Sequence, residues 1–139
     1  MKHLKIFALG MLFLAMNSSC NKDDDKGTAS KFSEVLPGKQ WVVSKLLLNG
    51  LDVTSSSLDD CERDDTIEFK ALGVLESKDN AIKCQGVPEV EISDWSLSSD
   101  EKKLTFNDTE NTVKSFSATQ FTLEDSEFGF TATAIYTAK

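Results

Sequence analysis

From Gln40 onward, apolar and polar residues alternate in short runs separated by clusters of Gly, Asn, Asp and Ser. A period of two broken by turn formers predicts an antiparallel meander. Eight strands are expected, over residues 41–48, 66–70, 74–78, 92–98, 103–106, 112–117, 121–124 and 129–137. Ile67 and Phe69, Trp95 and Leu97, Leu104 and Phe106, Phe121 and Leu123, and Phe128 and Phe130 form the expected inward face, with polar partners outward. Ahead of the strands, Phe32, Val35 and Leu36 share one face of a short helix that Pro37-Gly38 ends, and no helical period returns after it. Residues 98–102 and the run Asp125-Ser126-Glu127 have the composition of tight loops.

Cysteine spacing adds a covalent constraint. Cys61 and Cys84 are equidistant from a turn between Leu72 and Gly73, so a symmetric hairpin brings both to its open end, where a disulfide can close it. A bridge closing a loop of this length stabilises by roughly 3 kcal/mol in the chain-entropy picture. The spacing is not that of a redox Cys-x-x-Cys pair. Cys20 is left over.

The start of the chain explains that odd cysteine. Lys2 and Lys5 precede an apolar stretch from Ile6 to Met16, which at helical rise reaches roughly half of a ~30 Å hydrocarbon core. This order predicts a cleaved signal peptide over residues 1–19, and the residues before Cys20 resemble a bacterial lipobox, implying a lipidated N-terminal cysteine. Residues 20–31 are polar and without apolar period, a flexible acidic tether. Its Lys22-Asp23-Asp24-Asp25 core resembles the tag that sends lipoproteins to the outer face of the outer membrane. The expected location is therefore the outer membrane, lipid-anchored and exposed at the cell surface, with a folded domain over 32–139.

Charge and chemistry narrow the function classes. The chain carries 15 basic and 23 acidic residues, and removal of Lys2 and Lys5 leaves 13 against 23, a net charge of −10. Such a surface disfavours nucleic acid. The single histidine, His3, lies in the signal segment, so the mature chain offers no imidazole for a Ser-His-Asp triad or a mixed zinc site. Asp59-Asp60-Cys61-Glu62-Arg63-Asp64-Asp65 supplies hard oxygens but lacks the glycine and terminal glutamate of an EF-hand, and it reads as a solvated acidic loop. No metal site and no cofactor are expected. Asn107-Asp108-Thr109 matches a glycosylation sequon by chance.

Taken together, Leu36-Pro37-Gly38-Lys39-Gln40-Trp41, Asn49-Gly50, the run from Cys61 to Phe69, and Trp95-Ser96-Leu97 resemble the lipocalin-like domain of small Gram-negative lipoproteins. The resemblance implies an all-β, eight-stranded antiparallel up-and-down barrel, with Trp41 across its floor. Barrels of this size are either filled by side chains or hold one small ligand. It further implies a non-enzymatic domain that binds a small apolar or amphipathic molecule at the barrel mouth. Trp95, Phe106, Phe121 and Phe130 are its candidate pocket-lining or core residues. The alternative is a filled barrel that contacts another envelope protein or a surface glycan. A hydrolase working through paired carboxylates has no geometric support in the sequence.

Overall fold

A computed structural model describes residues 31–139; the signal peptide expected over 1–19, the lipidation expected at Cys20 and the expected tether up to residue 30 lie outside the described residues. Nine antiparallel strands form a single ring-like sheet, with two short helices and one disulfide. The strands are β1 (Gln40–Leu48), β2 (Leu51–Asp52), β3 (Thr66–Lys70), β4 (Val74–Lys78), β5 (Val90–Leu97), β6 (Lys103–Phe106), β7 (Thr109–Phe116), β8 (Gln120–Glu127) and β9 (Phe130–Ala138). Neighbours pair in the order β2-β1-β3-β4-β5-β6-β7-β8-β9, and β1 also pairs along its length with β9. Helix α1 (Phe32–Val35) precedes β1, and α2 (Thr54–Ser57) follows β2.

Turn chemistry sets the register. Three two-residue connections, Asn49-Gly50, Asn107-Asp108 and Phe128-Gly129, have positive φ at both positions, matching the twist of paired strands. At Gly73 a Cβ would stand 3.0 Å from the carbonyl oxygen of Trp95, so the tight turn between β3 and β4 admits only glycine there.

Two bulges decide which residues face inward. β1 shifts register between Val43 and Lys45, and β7 between Val113 and Ser115. Ser44 and Lys45 consequently both point out, and Leu46 and Leu48 join Trp41 and Val43 on the inner face, opposite Ala134 and Ala132. The bulge in β7 likewise puts Val113 and Phe116 on the same side.

The ring has a closed and an open end. At the closed end α1 lies across the opening: Phe32 packs on Phe116 and Phe121 with ring centroids 5.1 and 5.4 Å apart, and Trp41 donates from Nε1 to the Leu36 carbonyl at 3.0 Å. Glu101, in the turn between β5 and β6, accepts from the Phe32 amide at 2.7 Å and the Ser33 hydroxyl at 2.6 Å. The ring interior above this plug is filled by Phe69, Leu75, Leu104, Phe121, Leu123 and Tyr136, all buried. Tyr136 stacks on Phe121 at 4.6 Å, and burial pushes its hydroxyl pKa up to about 12.

Several sequence expectations are corrected. β2 raises the strand count from eight to nine, and α2 is a second helical turn where none was expected. Asp125-Ser126-Glu127 is not a loop: β8 continues through Glu127, and the turn falls on Phe128-Gly129. Phe128, at that turn, is 95% exposed and Phe130 58% exposed, so neither belongs to the core. Cys61 and Cys84 form the disulfide, with Cα atoms 5.2 Å apart.

Candidate functional site

The open end gathers the β1–β2 turn, α2, the disulfide, the loop over 79–89, and the turns after β6 and β8. Here β1 pairs with β3 only at Gln40 and Trp41, which leaves the rest of that edge to be satisfied otherwise. β2 and α2 do so: Val53 donates to the Leu46 carbonyl at 2.9 Å, and the Leu46 amide donates to Thr54 Oγ1 at 2.9 Å. Asp52 holds Thr54 through both hydroxyl and amide, at 2.6 and 3.0 Å, and these hydrogen bonds lower its carboxyl pKa. Arg63 reaches the Ser55 and Leu58 carbonyls at 3.3 Å and Asp60 at 3.0 Å, tying the segment after α2 to the acidic loop.

Between this flap and the ring wall lies an apolar cleft of about 230 Å³. Leu46, Leu48, Val53, Leu123, Ala132 and Ala134 give it apolar walls, and Ser57, Asn111, Asp125 and Thr133 add polar atoms. The space exists because β9 presents alanines at 132 and 134, opposite leucines 48 and 46. Around its rim stand exposed Leu51, Phe128 and Phe130, alongside Leu48. The register makes them neighbours: Leu48 pairs with Leu51 and with Ala132, and the Asn49 amide donates to the Thr131 carbonyl at 2.8 Å.

The four aromatic residues singled out from the sequence do not meet in one pocket. Phe121 is fully buried near the plug. Trp95 and Phe106 are a cross-strand pair beside Phe69; Trp95 donates to the Lys70 carbonyl at 2.9 Å, and the pair borders a separate recess of about 140 Å³. Phe130 alone stands at the mouth. The cleft is made by short aliphatic residues whose inward direction depends on the Ser44 bulge, which strict alternation along β1 reads the wrong way round.

A wider hollow of about 460 Å³ lies over Asp64, Asp79 and the loop over 79–89; most of its charged groups are hydrogen-bonded or ion-paired, but Asp64 Oδ1 is buried there without a partner. Asp64 accepts from the Ala81 and Ile82 amides at 2.7 and 3.2 Å, Asp65 from the Asn80 amide at 3.2 Å, and Asp79 from the Cys84 amide at 3.3 Å. Lys83 pairs with Glu89 at 3.6 Å. Burial, with Asp79, Asp64 and Glu62 nearby, raises the Asp65 pKa. Asp65, Asp79 and Cys84 bring one potential ligand atom each within 4.8 Å of one another, yet the Cys84 sulfur is spent in the disulfide. The acidic run is thus a hydrogen-bonded clasp for the 79–89 loop, beyond the solvated loop expected from sequence.

No protein family, curated protein or solved structure matches this chain.

Proposed function

We propose that this chain is an exported, lipid-anchored protein whose sheet closes as a lipocalin-like barrel and holds a small apolar or amphipathic molecule at its open end. The observation that carries the reading is the 230 Å³ apolar cleft beneath an exposed collar of Leu48, Leu51, Phe128 and Phe130. Natural surfaces rarely leave such side chains together without a use for them. Phe128 adds weight, since a bulky residue at φ 51° is strained and fully displayed. The interior near the plug is filled, so the ligand is confined to the mouth and is small.

Lys31 and α1 enter at the closed end. No catalytic step is assigned: Asp64, Asp65 and Asp79 each accept backbone amides in the loop clasp, with only Asp64 Oδ1 left unpartnered, and Asp125 stands singly in the cleft.

Native mass spectrometry of the protein purified from its own envelope, followed by organic extraction, tests the proposal. A retained molecule whose occupancy falls in a Phe130→Ala variant is the expected result. Absence of any adduct, together with no thermal shift across a panel of small hydrophobic compounds, favours the filled-barrel alternative, with the collar serving as a protein- or glycan-contacting surface.

A further inference from the structure

We infer that the mouth cleft selects small apolar molecules that carry an amine and discriminates against carboxylates, an inference that rests on the cleft being a ligand site. Asp125 stands on the inner face of β8, two positions beyond Leu123 and opposite Ala132, and its carboxylate lines the cleft. Among the described residues it has no hydrogen-bond donor and no cationic partner. The remaining polar lining, Ser57, Asn111 and Thr133, is uncharged, and no Lys or Arg lines the cleft. Glu127 follows on the same face, opposite Phe130 at the rim. Asp125 is therefore the one charged residue among those lining the cleft, and it is acidic.

A carboxylate set against an apolar wall keeps only part of its hydration, and a charge delivered to it there interacts more strongly than in bulk water. An ammonium group on the ligand supplies both the counter-charge and the donors that Asp125 lacks. A ligand carboxylate in the same place sets two like charges together. Size narrows the class further, because an apolar cavity of about 150 Å³ accommodates benzene. The 230 Å³ here leaves room for one ring and a short arm. An arylalkylamine fits both constraints.

Isothermal titration of the full chain with 2-phenylethylamine, 2-phenylethanol and phenylacetate tests the inference, because these probes share a ring and differ in charge. The amine is expected to bind roughly tenfold or more tighter than the alcohol, and the alcohol tighter than the acid. In Asp125→Asn, nearly identical in shape, the three affinities converge. In Glu124→Gln, which removes one charge from the opposite face of the same strand, the order stays as in the wild type. Equal affinities in the wild type, or a charge order that survives Asp125→Asn, overturn the role of Asp125 and leave the cleft as a ligand site. Failure of all three probes to bind overturns the cleft reading itself.

Discussion

Phe121 and Phe130 belong to one inner face by register, yet they occupy different physical environments. Phe121 is fully buried and touches the rings of Phe32, Trp41, Phe69 and Tyr136. Phe130 is 58% exposed at the rim. Truncating Phe121 to Ala is expected to cost about 3–5 kcal/mol, whereas Phe130→Ala changes stability by less than about 0.5 kcal/mol. Urea unfolding monitored by the fluorescence of Trp41 and Trp95 measures both, and a large loss at Phe130 contradicts its place at the mouth. Alternation in the sequence assigns both phenylalanines to the inward face, as pocket lining or core. It detects the face of a strand but not how far along the ring a residue sits, and the ring interior ends before Phe130. The turn at Phe128-Gly129 is illegible for a related reason: a phenylalanine in a left-handed turn contradicts the usual Asn-Gly chemistry, whereas Asp125-Ser126-Glu127 has the composition of a turn.

Among the elements, α1 is too short to persist by its own hydrogen bonds and is held by what it packs against. Its side chains seal the ring, and Glu101 anchors its first turn from a distant hairpin. The hydrogen bond from the Ser33 hydroxyl, foremost, holds the Glu101 carboxyl below the usual glutamate range. A depressed folded-state pKa stabilises above the unfolded value, about 4.3, and that contribution is lost as pH falls through the folded value. Glu101→Gln is therefore expected to be less stable than wild type at neutral pH, with the gap closing as pH drops below about 4. Urea midpoints across this range check it, and a gap independent of pH means that the charge is not what docks the helix. Phe32, Val35 and Leu36 made this plug legible in the sequence. Glu101 was not, because its partners lie some seventy residues away in the chain. β2 and α2 were missed because a two-residue strand and a helical turn of Thr and Ser carry no periodic signal. The disulfide is legible from the symmetry of Cys61 and Cys84 about the hairpin turn.

Across the whole molecule, packing changes from one end to the other. Large rings fill the closed end, and toward the mouth the inner wall of β9 narrows to Ala134 and Ala132. The cleft is the volume those small side chains leave unfilled, bounded by leucines from β1 and roofed by Val53 and Ser57. An empty apolar space costs stability in proportion to its size, so filling it should not harm the fold. Ala132 is exposed and lies nearest the rim, where an added side chain can grow into open space without displacing Leu123 or Tyr136. Ala132→Leu is accordingly expected to leave the melting temperature unchanged or raise it by a few degrees, and at the same time to abolish retention of a small apolar molecule. Stability gained where binding is lost is the signature of a site kept open for function. Differential scanning calorimetry with and without 2-phenylethanol separates the two effects: the wild type shifts upward with the probe, and the variant melts at the same temperature in both. A variant that still responds to the probe locates binding elsewhere on the molecule, and one that melts far below wild type shows that the alanines are there for packing.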